Sequence, residues 1–253
     1  MTDPASPSTA LLKEGDLTAL RQLFAARVRD EPWQAGHRLD LADVLIVLGE
    51  LERGDGHLAL ASEQDTALAL PVALTRQLVR AAMARVETFE QRRVPELVAE
   101  PDGMIAAALA RLAGVDDGPA PEPVAATVDG QAVAEFLDLD DRTADVLEVL
   151  TSTGKYVWVP FSQVASLKVQ SPERLRDIVW RPAELEVRGG PAGVVYLPTI
   201  YHGGQGVTDA HRLGRATEWI EDGSRATGIG LRTFLSDDEA PTLGEFAELG
   251  IVG

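Results

Sequence analysis

Residues 114–123 read Gly114-Val115-Asp116-Asp117-Gly118-Pro119-Ala120-Pro121-Glu122-Pro123. Prolines at every second position have no amide hydrogen to give a helix or a sheet, and the acidic residues beside them hold water. The segment is the strongest linker signal in the chain, and the spacing of apolar residues changes across it. The expectation is an α+β fold: a loose tail at 1–8, a helical half at 9–113, a linker at 114–123 and a β-rich half with short helices at 124–253.

N-terminal to the linker, Leu12, Leu20, Leu23, Phe24 and Val28 recur at helical spacing. Leu41, Val44, Leu45 and Leu48 repeat the stripe, as do Val72, Leu78, Val79 and Met83. Gly15-Asp16 precedes Gly49-Glu50 by 34 residues, the period of a tetratricopeptide repeat. Ala19, Ala26 and Pro32 follow the first glycine as such a repeat requires. Gly54 and Gly56 intrude on the second. The pattern predicts a tetratricopeptide-like helical array, with an irregular helical bundle as the alternative.

C-terminal to the linker, Asp129-Gly130 is a hairpin turn signal. Val146–Leu150 and Lys155–Pro160 flank Thr151–Gly154 and predict a hairpin rich in strand formers. Leu185–Arg188 and Val194–Leu197 predict a second, and Val164–Val169 alternates. Further strands are expected near Trp219–Glu221 and Gly228–Leu235. Ser171-Pro172-Glu173 suggests a helical turn, and Val207–Leu213 a short helix. Thr242–Leu249 begins like a capping box but is assigned to strand or irregular structure.

The 253-residue chain carries 40 acidic and 23 basic side chains, a net charge of −17. At long range it repels nucleic-acid phosphates and anionic lipid. It has no cysteine, which removes disulfides, thiolate metal sites and a Cys nucleophile. No apolar run reaches the roughly 18–20 residues needed to span a bilayer. With a Pro- and Ser-rich start in place of a signal peptide, the expected location is the cytoplasm.

Motifs for catalysis fail one by one. Gly154-Lys155 lacks the other glycine and the hydroxyl residue of a phosphate loop, and Gly228-Ile229-Gly230 has Thr233 where a dinucleotide loop needs glycine. His202-Gly203-Gly204 resembles an esterase oxyanion segment, but Ser224 is in no nucleophile elbow. Asp209 and His211, with His202 nearby, are too few for a metal site without a distant ligand; they carry the alternative reading, a metal-dependent or other hydrolase. The carboxylate runs Asp138-Asp140-Asp141 and Asp237-Asp238-Glu239 read as solvated loops. Arg176, Arg181, Arg215 and Arg232 are the cations available to an acidic chain for internal pairs. Trp158, Trp180 and Trp219 read as β-domain core, or else as a recognition surface.

Lys155-Tyr156-Val157-Trp158-Val159-Pro160-Phe161, then Leu175-Arg176-Asp177-Ile178-Val179-Trp180-Arg181-Pro182-Ala183, then Leu197-Pro198-Thr199-Ile200-Tyr201, Ala216-Thr217-Glu218-Trp219 and Gly228-Ile229-Gly230-Leu231-Arg232 come in one order. That ordered set, opened by Leu11-Leu12-Lys13-Glu14-Gly15-Asp16-Leu17, resembles the ImpE family, also called TagJ or SciE-type, over about residues 10–250. The resemblance implies a non-enzymatic accessory protein of a bacterial type VI secretion system, without cofactors. It implies tetratricopeptide-like N-terminal helices, binding to the N-terminal helix of the small sheath subunit and a link to sheath handling by the ClpV ATPase. Trp158, Pro160, Phe161, Arg176, Asp177, Trp180, Tyr201 and Trp219 are the motif residues it marks for binding or structure. Two features depart from the family pattern: the extra glycine and missing aromatic between Gly49 and Ala61, and the helical look of Thr242–Leu249.

Overall fold

Gly15 and Gly49 stop two helices in the same way. Both take a left-handed backbone, φ +83° and +80°, and in each case the following amide bonds back across the last turn, Asp16 N to Leu11 O and Glu50 N to Leu45 O. The 34-residue spacing thus marks two like helix ends. The computed structural model describes residues 6–98, 103–115, 120–223 and 225–252. Helices α1 (Pro7–Glu14) and α2 (Leu17–Asp30) meet at Gly15, and α3 (Ala35–Val47) and α4 (Leu51–Gln64) at Gly49. Next come the long α5 (Ala69–Gln91) and α6 (Gly103–Leu112). Gly54 is buried where α4 crosses α3, and a Cβ there would sit 3.4 Å from Ile46. The glycine that disturbed the repeat pattern is therefore a close-packing residue.

The tail expectation needs correcting. Pro7 already opens α1, with the Ser6 hydroxyl accepting from Thr9 N at 3.3 Å; residues 1–5 lie outside the described residues. Residues 116–119, the middle of the expected linker, lie outside them too, as does Ser224.

One sheet has ten strands: β1 (Glu96–Leu97), β2 (Val124–Val128), β3 (Gln131–Asp138), β4 (Val146–Leu150), β5 (Tyr156–Pro160), β6 (Val164–Val169), β7 (Trp180–Val187), β8 (Ala192–Pro198), β11 (Phe234–Ser236) and β12 (Glu248–Ile251). Their order is β1-β5-β4-β8-β7-β6-β12-β2-β3-β11. All pairs are antiparallel except β1 with β5. β1 comes from the half expected to be wholly helical. Strands β9 (Thr217–Asp222) and β10 (Arg225–Gly230) form a separate hairpin. The single turn α7 (Asp209–Arg212) falls within the expected short helix. The turn sought at Ser171–Glu173 forms later, as a 3-10 turn at Leu175–Ile178. From Thr242 the chain makes a turn, tied by Thr242 N to Glu245 Oε2 at 2.7 Å, before joining the sheet as β12.

Alternation along the strands divides the core. Leu147, Val149, Val157 and Val159 join an aromatic cluster of Phe136, Phe161, Phe234 and Phe246. The opposite residues of β4 and β5, Val146, Leu150, Tyr156 and Trp158, pack with Trp180 against Ala42, Ile46, Leu58, Val72, Leu78 and Ala82 of α3–α5. Both faces of β4 and β5 are therefore covered, which is why all ten of their residues are buried. The apolar core thus runs across the join between the two halves. A third cluster packs Leu17, Leu20, Phe24 and Leu45 against Leu213.

Candidate functional site

Glu148 stands in the middle of β4 on the face turned to the helices, 1% exposed. A lone buried carboxylate costs several kcal/mol, so it requires partners. Arg85 of α5 supplies Nε at 2.7 Å and Nη2 at 3.1 Å, and Arg232 and the Tyr156 hydroxyl also bond it. Trp158 Nε1 donates to Tyr156 at 2.6 Å. Arg232 extends to Asp138, which also accepts from Thr143 Oγ1 at 3.1 Å and Asp140 N at 2.9 Å and lies 2.7 Å from the Tyr201 hydroxyl. Asp140 holds Arg142 Nε at 2.9 Å and accepts from Gly228 N at 3.0 Å. Three arginines and three carboxylates thus form one buried network between α5, the sheet and the β9–β10 hairpin.

Burial pushes the Asp138 carboxyl up to about 6, with Arg232 only partly offsetting it. Burial would raise Glu148 as well, but Arg85 and Arg232 together hold it far below the usual range. The reading of Asp138-Asp140-Asp141 as a solvated loop is wrong: Asp138 and Asp140 are fully buried. The counter-ion of Asp138, Arg232, lies 94 residues away, so local sequence context carries no sign of it; Asp140 pairs with its near neighbour Arg142. Asp237 is exposed and ties down the backbone by accepting from Ala134 N and Glu135 N.

All four arginines singled out from the sequence have internal bonds. Arg176 pairs with Asp43 at 2.5 Å, and Arg232 holds Asp138 and Glu148. Arg181 Nε donates to Asp177 O at 3.1 Å, and Arg215 Nη1 to Lys13 O at 3.0 Å.

The motif residues are mostly internal. Trp158, Phe161, Trp180 and Tyr201 are buried, and so is Pro160 at the end of β5. Trp158 is fully enclosed, and Trp180, 6% exposed, reaches only the wall of a cavity. Asp177 caps the 3-10 turn, accepting from Glu173 N and Arg174 N at 2.9 Å. Trp219 is 39% exposed and leans on the Tyr201 ring at 5.7 Å.

The hydrolase residues have separate tasks. Asp209 Oδ2 accepts from Leu17 N at 3.0 Å, at the start of α2. His211 Nδ1 bonds Thr208 at 3.1 Å in a capping box. His202 stacks on Phe89 with ring centres 4.9 Å apart. Among the described residues no three His, Asp or Glu side chains are grouped to hold a metal.

Above the network two cavities adjoin, sharing Gly49, Leu51 and Val86. One, of about 380 Å³, is a groove between α4 and α5 lined by apolar Leu51, Met83 and Val86 and by Glu50, Glu52, Glu87 and Arg53, with Glu50 paired to Arg53 and Glu87 to Arg93. The other, of about 310 Å³, opens between α5, Trp180 and the Tyr201–Gly204 segment, with Arg85, His202 and Arg212 in its wall. The sequence reading missed both, because each is assembled from segments far apart in the chain. No helix among the described residues is long and apolar enough to cross a membrane.

Residues 130–250 match the family model described as ImpE protein. The type VI secretion system accessory component TagJ of Pseudomonas aeruginosa strain PAO1 is 34% identical to this chain, covering 94% of the chain and 89% of TagJ. The crystal structure of protein VPA1032 from Vibrio parahaemolyticus shares the fold, with a TM-score of 0.87 at 23% identity over 98% of both chains. Identity of 34% sustained over nearly both full lengths, together with the family-model match, gives the assignment: this chain belongs to the ImpE/TagJ family.

Proposed function

We propose that the protein is a non-enzymatic, cytoplasmic accessory component of a type VI secretion system. Its partner in this reading is the N-terminal helix of the small sheath subunit, and it is tied to sheath handling by the ClpV ATPase. The observation that carries the proposal is the 34% identity to TagJ over nearly the whole chain. The helices α1–α4, turning on Gly15 and Gly49, act in this reading as a tetratricopeptide-like adaptor.

The α4–α5 groove suits such a partner. An amphipathic helix lays its apolar face on Leu51, Met83 and Val86, and a Lys or Arg side chain meets Glu52, since Glu50 and Glu87 are shared with Arg53 and Arg93. The apolar face of α3–α5 packed on the sheet is already occupied, which directs a partner to this outer groove. The test is calorimetry of the full chain with a peptide of the sheath subunit's N-terminal helix. The expected dissociation constant is on the order of micromolar, weakened about tenfold or more by Val86→Asp. Absence of heat at high concentration, or full binding by the Val86→Asp protein, would sink the groove assignment. A pull-down of sheath subunits and ClpV by the full chain tests the secretion role separately.

A further inference from the structure

The second cavity differs in charge from the rest of the molecule. In a chain of net charge −17, its wall carries Arg85, Arg212 and His202 against a single acid, Glu90. The remaining lining is apolar, including Ile46, Val179, Trp180 and Ile200. Arg85 is committed on one side only. Its Nε and Nη2 bond Glu148 and the Ile200 carbonyl, whereas its Nη1 makes no hydrogen bond among the described residues. Arg212 is held from behind through Nη1 by the Val207 carbonyl at 3.0 Å and by Asp209 at 3.6 Å, leaving Nη2 for a ligand. The His202 ring is fixed by its stack on Phe89.

The geometry points to a binding site for a carboxylate carried on a short branched apolar group, the carboxylate meeting Arg85 Nη1, Arg212 and His202 and the apolar part lying toward Ile46 and Trp180. At about 310 Å³ the cavity is at the small end of ligand pockets, roughly 300–1,000 Å³. A doubly charged phosphate suits it less well, since Arg85 already shares its charge with Glu148 and Glu90 stands at the edge. The field at the site agrees. Burial, then Arg85 and Arg142, lower the His202 imidazole to about 4, while Glu148 and Asp140 offset this only in part. A bound anion would raise that midpoint. The site adjoins the helix groove at Gly49, Leu51 and Val86, but Arg85, His202 and Arg212 line it alone, so Arg212→Gln tests this site without touching the groove.

Two sources share this chemistry: a free small organic acid, and the C-terminal carboxylate of a peptide ending in leucine. The probes are 4-methylpentanoate, its uncharged amide, and a hexapeptide ending in leucine with a free or an amidated C-terminus. They are titrated into the full chain and followed by NMR of the His202 ring. Binding of 4-methylpentanoate is expected with a dissociation constant on the order of 1 mM, about tenfold tighter than the amide. The His202 midpoint should rise by about half a unit or more on saturation. Arg212→Gln, at a half-exposed position, should weaken binding about fivefold. Arg85→Lys should do the same while keeping a cation beside Glu148. A hexapeptide binding about tenfold tighter than the free acid identifies the peptide source; equal or weaker binding identifies the free acid. Equal affinity for acid and amide, an unmoved His202 midpoint, or Arg212→Gln and Arg85→Lys proteins that bind as tightly as the parent would each overturn the site.

Discussion

Replacing Arg232 by Met tests the buried network most directly. The side chains are similar in length, so the change removes charge and donors with little change of shape. Arg232 bonds Asp138, Glu148 and the Pro198 carbonyl while 2% exposed. Glu148 would keep both bonds from Arg85. Asp138 would keep only uncharged donors, from Tyr201, Thr143 and the Asp140 amide. Stranding a buried carboxylate in this way costs about 3–5 kcal/mol, a large part of a typical stability of roughly 5–15 kcal/mol. The loss should depend on pH with a definite sign. The folded Asp138 already titrates near 6, above its ordinary 3.8, and losing Arg232 raises it further. Its ionisation therefore opposes folding as pH rises, and the deficit of the variant shrinks as pH falls. Urea unfolding followed by circular dichroism at about pH 7 and about pH 5 reads both effects. The double variant with Asp138→Asn should recover much of the loss at the higher pH. A deficit under about 1 kcal/mol, or one that does not change with pH, would refute the reasoning.

Other outcomes follow from single contacts. Gly230→Ala should abolish folding in cells, measured as loss of soluble full-length protein, because φ is +97° and the new methyl would land on the Ala216 carbonyl. His202, lowered to about 4 from 6.5, stays neutral in the fold while the unfolded chain takes up a proton. The resulting stability is present above pH 6.5 and fades as pH falls toward 4. His202→Gln should flatten that slope, a change on the order of 3 kcal/mol in urea titrations. A double-mutant cycle of Arg176→Met and Asp43→Asn should show a coupling of about 1–2 kcal/mol, because the pair joins α3 to the 3-10 turn at low exposure; additive losses would show that it contributes nothing.

Features written in local order were legible. Asp129-Gly130 does take two left-handed residues, φ +49° and +82°, and the expected hairpin of Val146 to Pro160 forms, with Gly154 left-handed in its turn. Short-range turn chemistry and alternation determine such elements. What was not legible depends on partners distant in sequence. Asp138 and Asp140 look like loop acids until Arg232 and the Gly228 amide are brought to them. Glu96–Leu97 is too short to announce a strand, and becomes one only because β5 offers its edge. The motif tryptophans read from the sequence as β-domain core, with a recognition surface as the alternative. The helices packed over β4 and β5 decide for the core at Trp158 and Trp180, whereas Trp219 stays partly exposed.

The apolar core that crosses the join also bears on what a cut there would do. A fragment ending near Val115 would carry bare Val72, Leu78 and Ala82, and one starting near Ala120 would carry bare Trp158 and Trp180. Neither piece is expected to be stable alone, yet each carries the surface that the other needs. Co-expressed, they should find one another and rebuild the fold without a covalent connection. The family's architecture thus offers a split-protein pair whose reassembly reports that both pieces share a compartment.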